Sequence, residues 1–286
     1  MRRWWRIAGS VLLCAAAGPA GAQGHLVLIG GGDKPPEAMA KFVELAGGRE
    51  APIVVVPTAS TEDDTIPYYL DLFGRELGVT DLVAVDIRTP ADARRADHLA
   101  ALARARGVFF AGGDQTRILA AFADSPALAA VRRVFARGGV IGGTSAGTAC
   151  QTTPMITGEG DFTVIRSGAV ALSDGLGLWP GVVVDQHFLV RQRVNRLLSV
   201  VLAQPALLGV GIDEATAVWV EPGGTFEVLG HGSVMVLDAR RAPVSRRPFA
   251  NGQENLGVHG LRLHLLLPGE RFDVARRTPL PPRRRR

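Results

Sequence analysis

Residues 143–147 read Gly-Thr-Ser-Ala-Gly, which fits the Gly-x-Ser-x-Gly pattern of a nucleophile elbow. In such an elbow a strand turns sharply into a helix, and glycines flank the serine because the turn leaves no room for side chains. The serine hydroxyl is exposed at the helix N-terminus, where the next backbone N–H can stabilise an oxyanion. We therefore predict Ser145 as a nucleophile and the N–H of Ala146 as an oxyanion donor.

A serine nucleophile requires a base, and His187 is the histidine best placed to supply it. It ends residues 181–187, where three valines followed by Asp-Gln-His predict a buried strand that runs out to the rim of a sheet. The other histidines are more typical of surface or core positions: His25, His98, His231, His259 and His264. An acid that orients His187 should lie nearby, and Glu159 and Asp161 fall in the glycine-rich segment between serine and histidine.

Two other glycine-rich segments could approach a ligand closely. The pair Gly112-Gly113 either supplies a second oxyanion donor, from Gly113, or forms an ordinary strand-to-helix turn. Residues 30–32 are three glycines, but they lack the Gly-x-Gly-x-x-Gly spacing and the following acid of a dinucleotide fingerprint. We therefore exclude NAD as a cofactor.

Three arginines follow His187 closely: Arg191, Arg193 and Arg196. They could form a solvated helix face, but their nearness to the predicted base favours recognition of a carboxylate, which guanidinium groups bind in bidentate fashion.

Short apolar segments alternate with helical segments along the first half of the chain. The apolar runs, such as 26–29 and 52–56, are continuous, which is typical of strands buried on both faces of a parallel sheet. This order predicts a doubly wound, mostly parallel α/β fold. Strand-like segments between residues 216 and 267 suggest an antiparallel C-terminal extension of the same sheet. In such folds ligands bind beyond the carboxyl ends of the strands, so the polar residues there should meet at one rim.

The N-terminus has the anatomy of a secretory signal peptide. Arg2, Arg3 and Arg6 precede a short apolar run, and small residues around Ala22 offer a cleavage site. No stretch is both long and apolar enough to span a bilayer. We expect residues 1–22 to be a signal peptide cleaved near Ala22, which makes the protein secreted or periplasmic without a stable membrane anchor. Residues 23–275 would form one α/β domain and 276–286 a basic disordered tail.

The basic charge of the chain lies at its ends. Seven of the arginines behind the net charge of +5 fall in the first six and last four residues, so the remaining chain is slightly acidic. This distribution argues against nucleic-acid binding.

Without the signal peptide, Cys150 is the only cysteine, so no internal disulfide can form.

The sequence resembles the cyanophycinase branch of the S51 serine peptidases over most of its length after the signal peptide. The motifs that carry the resemblance are Ala111 to Gln115, Gly142 to Gly147, Asp185 to Phe188 with the three arginines, and Gly211 to Ala217. The resemblance implies a flavodoxin-like fold, like that of class I glutamine amidotransferases. It also implies an acyl-enzyme mechanism through Ser145 and His187, without cofactor or metal.

By the same resemblance, a substrate pocket is lined by Gln115, Asp185, Gln186, Arg191, Arg193 and Arg196. The family substrate, cyanophycin, is a polyaspartate with arginine on each side-chain carboxyl, and the product is a β-Asp-Arg dipeptide. The arginines would bind carboxylates, whereas Asp185 and the amides would bind the substrate guanidinium.

The acid departs from the family pattern, because a glutamate is expected where this chain has Thr163. Asp161 would share a strand face with Thr163, so we favour Asp161 over Glu159 as the acid.

Two alternatives stay open: a periplasmic dipeptidase specific for aspartyl or isoaspartyl peptides, and a non-catalytic relative that binds arginine-rich peptides. A lipase-type hydrolase is disfavoured by the lack of a His-Gly-Gly motif. The sequence leaves a homodimer open.

Overall fold

The computed structural model describes residues 24–283. The strands of this part, numbered in chain order, are β1 His25–Ile29, β2 Ile53–Val56, β3 Leu82–Ala84, β4 Gly107–Phe110, β5 Val140–Thr144, β6 Met155–Gly160, β7 Val170–Ser173, β8 Val182–Gln186, β9 Leu208–Ile212, β10 Thr216–Val220, β11 Thr225–Gly230, β12 Val234–Asp238, β13 Val244–Pro248, β14 Glu254–Val258, β15 Arg262–Leu266, β16 Arg271–Asp273 and β17 Thr278–Leu280.

The α-helices are α1 Pro36–Ala46, α2 Thr65–Leu70, α3 Ala96–Arg104, α4 Gln115–Phe122, α5 Pro126–Ala136, α6 Ala146–Ala149 and α7 Val194–Ala203. A π-helical segment, Asp71–Glu76, continues α2, and short 3-10 segments cover Asp92–Arg94 and Ala250–Gly252. Among the described residues no helix is long and apolar enough to cross a membrane.

The central sheet has the strand order β17-β16-β11-β10-β1-β5-β4-β2-β3. The five strands from β1 to β3 in this order are parallel, whereas β10, β11, β16 and β17 are joined antiparallel beside β1. The inner parallel strands β2, β4 and β5 are buried on both faces, whereas the edge strand β3 is partly exposed. The expected mixed α/β fold is therefore present, with an antiparallel extension on one side.

Helices cover both faces of the central sheet. On one face α1 and α2 pack over a cluster that contains Phe42, Phe73 and Phe109, whose rings contact one another at 5.4–5.6 Å between centroids. On the other face α3, α4 and α5 pack on the larger core cluster. Ser125 begins α5 by accepting a hydrogen bond from the N–H of Leu128.

A second sheet, of order β15-β12-β9-β8, lies beside the first, and β8 and β9 are parallel. This sheet corrects one expectation. Of the four segments that were expected to extend the central sheet, β10 and β11 do so, whereas β12 and β15 belong to the second sheet. The reason is β9, which pairs with β8 on one side and with β12 on the other and so draws β12 and β15 into its own sheet. The hairpins β6–β7 and β13–β14 complete the strands of the described chain.

The C-terminal segment also differs from expectation. Residues from 276 were expected to be disordered, but Thr278–Leu280 forms β17 against β16. Arg277 precedes β17 and is buried, with its guanidinium bonded to the Asp238 carboxylate and to the carbonyls of Ala206 and Leu207. This ion pair fastens the segment to the second sheet.

We therefore expect Arg277→Ala to destabilise the fold by about 3–5 kcal/mol, because it leaves the Asp238 carboxylate buried without its partner. The measurement is the free energy of unfolding from urea denaturation. The matched control is Arg276→Ala, since Arg276 pairs with Asp273 through a side chain that is 79% exposed. Equal losses for the two variants would contradict the structural role of the buried pair.

Candidate active site

Ser145 lies at the turn between β5 and α6, in a backbone conformation that few residues other than glycine adopt, with φ of 53° and ψ of −111°. The flanking glycines make this turn possible. A Cβ on Gly143 would lie 2.2 Å from the carbonyl oxygen of Gly147, and one on Gly147 would lie 2.2 Å from that of Phe110. The structure thus gives the predicted elbow a direct steric reason.

His187 follows β8 and also has a positive φ, of 49°. Its N–H donates to the carbonyl of Gly30 at 2.7 Å, which brings the end of β8 against the turn after β1. A Cβ on Gly31 would lie 2.2 Å from Cε1 of the His187 ring, so only glycine leaves room for the imidazole. The glycines at 30–32 therefore serve close packing around the histidine.

Ser145, His187 and Glu214 form a hydrogen-bonded chain. The Ser145 Oγ lies 2.8 Å from Nε2 of His187, and Nδ1 of His187 contacts Oε1 of Glu214. A carboxylate can only accept, so Nδ1 of a neutral imidazole carries the proton and Nε2 accepts the serine hydroxyl. This geometry allows the histidine to remove the serine proton while the glutamate holds the ring.

Burial of the His187 ring lowers its pKa below the ordinary value for histidine. The hydrogen bond to Glu214 raises the pKa in part, whereas the positive charge of Arg191 lowers it. His187 is therefore neutral at pH 7, the state in which it can accept a proton.

The expected acid, Asp161, does not lie against His187. Its carboxylate accepts hydrogen bonds from Oγ1 and N–H of Thr163, at 2.6 and 3.0 Å, which lower its pKa. The physical reason is local, because a short acid two residues before a threonine closes a turn with it. Glu159, the other candidate, lines the cavity described below, and Glu214 occupies the place beside the imidazole.

Sequence reasoning missed Glu214 because its position depends on β9, a strand that was not predicted. Glu214 stands two residues after β9, and β9 runs parallel to β8 with Gln186 opposite Ile212. The carboxyl ends of neighbouring parallel strands lie at the same edge, so the residue after β9 must approach the one after β8.

The two predicted oxyanion donors flank the serine. Ala146 is the first residue of α6, and its N–H follows Ser145 directly. The Gly112-Gly113 turn lies across from it, since a Cβ on Gly112 would be 3.4 Å from that of Ser145. Gly113 has φ of 135° and packs on the Ala59 carbonyl, 2.1 Å from where a Cβ would stand. Both segments can present N–H groups beside the Ser145 oxygen.

A cavity of about 490 Å³ opens in front of Ser145. Besides Ser145, its walls come from four segments. These are the turn before α4 with the first residues of that helix, the β6–β7 hairpin, the end of β8, and the residues before α7 with the first turn of that helix. The lining residues are Gly113, Asp114, Gln115, Thr116, Ser145, Thr157, Gly158, Glu159, Phe162, Gln186, Arg191, Gln192, Arg193 and Arg196. Its size is within the range of small-molecule and peptide sites.

Asp185 does not line this cavity, although it was expected to contact substrate. Its side chain is fully buried, and both carboxylate oxygens are bonded to the guanidinium of Arg196, with Nε to Oδ2 at 2.6 Å. Arg193 lies 3.8 Å from the same carboxylate and donates to the carbonyl and side-chain oxygens of Gln186. Asp185 and Arg196 therefore shape the cavity as an ion pair.

Burial lowers the pKa of Arg193 to about 10, so its guanidinium is still cationic at neutral pH. Arg191 and Arg193 thus give the cavity two positive side chains in addition to Arg196, whose charge is compensated by Asp185. Gln186 lies next to the nucleophile, with Oε1 3.5 Å from Ser145 Oγ. The amide nitrogen of Gln115 donates to the carbonyls of Ile156 and Thr157 at 2.8 and 2.7 Å, so it holds the β6 hairpin over the cavity.

Comparisons with known proteins show which family the chain is similar to. The model of peptidase family S51 matches residues 26–228. A cyanophycinase of Synechococcus elongatus is 38% identical over 259 residues, 89% of this chain and 80% of the relative. A cyanophycinase of Trichormus variabilis is 39% identical over 248 residues, 86% and 83% of the two chains. A solved peptidase structure from an acI-B1 actinobacterium has a TM-score of 0.67 at 21% identity, covering 88% of this chain and 97% of the other, which shows a shared fold.

A doubly wound α/β fold with a serine held on a strand-to-helix turn beside a histidine defines the class as a serine hydrolase. The chain belongs to peptidase family S51 and is a serine-type peptidase.

We expect Glu214→Gln to lower the pKa of His187 further, because the substitution removes the negative charge that favours the imidazolium. The measurement is a pH titration of the His187 ring followed by NMR, with the histidines distant from the site as internal references. Arg191→Gln should shift the pKa in the opposite direction. An unchanged or raised pKa in Glu214→Gln would contradict the contact between the two side chains.

Proposed function

We propose that the protein is a serine exopeptidase that hydrolyses cyanophycin to β-Asp-Arg dipeptides through an acyl-enzyme. The observation that carries this proposal is the chain of contacts from Ser145 through His187 to Glu214, at the edge of a cavity lined by Arg191 and Arg193. The cyanophycinases among its relatives support the choice of substrate.

In the proposed mechanism the Ser145 hydroxyl gives its proton to Nε2 of His187 while its oxygen attacks the scissile carbonyl. Glu214 stabilises the imidazolium that forms. The N–H groups of Ala146 and Gly113 stabilise the negative oxygen of the tetrahedral intermediate. His187 then protonates the leaving amine, and a water molecule, activated by the same histidine, hydrolyses the acyl-enzyme.

The charges of the cavity suit this polymer. Cyanophycin has a polyaspartate backbone with arginine on each side-chain carboxyl, so it offers carboxylates and guanidinium groups together. Arg191 and Arg193 can bind a substrate carboxylate in bidentate fashion beside Ser145. An aspartyl or isoaspartyl dipeptide would use the same arginines, so the polymer and the dipeptides must be compared as substrates.

The proposal predicts that Ser145→Ala and His187→Ala abolish release of β-Asp-Arg from purified cyanophycin, since each removes a reacting group. Glu214→Gln should lower kcat by about 10²–10⁴-fold, because the imidazole loses its orienting carboxylate. The matched control is Asp161→Asn, which should release dipeptide at the wild-type rate. Dipeptide release is followed by liquid chromatography and mass spectrometry.

Fluorophosphonate labelling separates a peptidase from a binding protein. Wild type should be labelled at Ser145 and Ser145→Ala should not. Tight binding of arginine-rich peptide with neither labelling nor turnover would show a non-catalytic relative instead. Turnover of isoaspartyl dipeptides without turnover of the polymer would favour the dipeptidase.

We also propose that the parallel unit is a variant of the flavodoxin-like fold. Counted from β2 as the first strand, the order β3-β2-β4-β5 corresponds to 2-1-3-4 of the flavodoxin-like order 2-1-3-4-5. The fifth place is taken by β1, which comes first in the chain.

We propose further that the protein is exported. The basic residues, apolar run and small residues around Ala22 support this proposal, although residues 1–22 lie outside the described part of the chain. Expression of the full chain in a bacterial host should give an extracytoplasmic product whose N-terminal sequence begins near Gln23. Deletion of residues 2–22 should leave the protein in the cytoplasm. A full-length cytoplasmic product that keeps Met1 would contradict export.

A further inference from the structure

The charged side chains of the cavity do not all have the same freedom to bind a ligand. Arg196 lines the cavity, but its guanidinium is used by the buried carboxylate of Asp185. The cavity wall has two carboxylates, those of Asp114 and Glu159. A substrate guanidinium must therefore be recognised by one of these two or by neutral groups.

Asp114 already has partners. Its carboxylate begins α4 by accepting the N–H of Thr116 at 2.8 Å and its hydroxyl at 2.6 Å, and Arg117 lies 3.9 Å away. The carboxylate of Glu159 makes neither a hydrogen bond nor an ion pair with any side chain in residues 24–283. Glu159 is thus the carboxylate of the cavity wall that is free to receive a cation.

The backbone that carries Glu159 is built irregularly. In the β6–β7 hairpin the register shifts between Ile156 and Gly160, so β6 contains extra residues opposite β7. Such a bulge redirects side chains and is common beside active sites. Gly160 has φ of 127°, and a Cβ there would lie 2.1 Å from the Ala169 carbonyl, so only glycine allows the bulge.

The bulge is also fastened to the cavity. Gln115, a buried residue, donates its amide to the two carbonyls at the start of the bulge, those of Ile156 and Thr157. Thr157 in turn donates its hydroxyl to the carbonyl of Ala171 on the partner strand. Gln115 is thus a positioning residue that holds the segment with Glu159 at the cavity.

We propose that Glu159 determines specificity for the arginine side chain of the substrate. The carboxylate of Glu159 binds the guanidinium of that side chain, while Arg191 and Arg193 bind a substrate carboxylate. This assignment rests on the proposed function. It gives the cavity one acceptor for a cation and two donors for an anion, which matches a ligand that carries both charges. A carboxylate and a guanidinium form a directional, bidentate pair that a neutral side chain cannot reproduce.

The test compares short synthetic β-Asp-Arg oligomers with oligomers in which citrulline replaces arginine. Citrulline keeps the shape of the side chain and removes its charge. The measured quantity is the ratio of kcat/KM for the arginine and citrulline substrates. We expect Glu159→Gln to lower this ratio about tenfold, the range of a charge-assisted hydrogen bond in a partly exposed site. Glu159→Asp should restore part of the preference, and Glu159→Lys should lower it further.

Asp161→Asn is the matched control, since Asp161 is a neighbouring exposed carboxylate that does not line the cavity. It should keep the wild-type ratio. A wild-type ratio in Glu159→Gln, or an equal fall of the ratio in Asp161→Asn, would overturn the role of Glu159. In either case turnover of the polymer by the wild-type enzyme would still support the proposed function. A wild-type enzyme that cleaves neither oligomer nor cyanophycin would overturn the proposed function and this role together.

Discussion

The site depends on the close approach of three chain segments to the turn after β1. Consecutive carbonyls of residues 29–31 accept the N–H groups of Ser145, His187 and Ala215, the residue after Glu214, at 3.0, 2.7 and 3.0 Å. The central sheet supplies the first of these segments, and the second sheet supplies the other two. The backbone of this turn thus joins two sheets that also share the main hydrophobic core, to which the second sheet contributes Val182, Val184 and Val210. Glycine is required in the turn because a side chain would displace the imidazole or the backbone of the partner segment.

These backbone bonds also explain how the site tolerates strain. Ser145 and His187 both have positive φ, which costs about 1–3 kcal/mol for each residue outside glycine. Each N–H is bonded to the turn after β1, so the surrounding structure holds the unfavourable conformation in place. The two side chains consequently stand at hydrogen-bond distance before any substrate binds, and little reorganisation is needed when the proton moves.

The sequence pattern was sufficient to predict Ser145 and His187 but not the acid. Ser145 and His187 follow β5 and β8, which begin with the apolar residues Val-Ile and Val-Val-Val and whose ends must reach the rim. Glu214 follows β9, which reads Leu-Gly-Val-Gly-Ile and was not recognised as a strand because glycine weakens strand propensity. The structure shows why these glycines are present: a Cβ on Gly209 would lie 2.6 Å from Val201, and one on Gly211 would lie 2.4 Å from Phe188. Tertiary packing of this kind leaves no pattern in the local sequence that would predict a strand. Because β9 was not predicted, the pairing of β12 and β15 with it in the second sheet was not predicted either.

The placement of Asp185 follows from the alternation of side chains along β8. Val183 packs in the cluster beneath α7, whereas Val182 and Val184 pack in the main core, so Asp185 must point to the α7 side. Arg196 lies on α7 and forms a buried ion pair with Asp185 there. Removal of either partner would leave the other charge buried and uncompensated. Gln186 points the other way, towards Ser145. Adjacent residues of one motif therefore have different roles. Asp185 holds α7 in place through Arg196, whereas Gln186 lines the cavity beside Ser145.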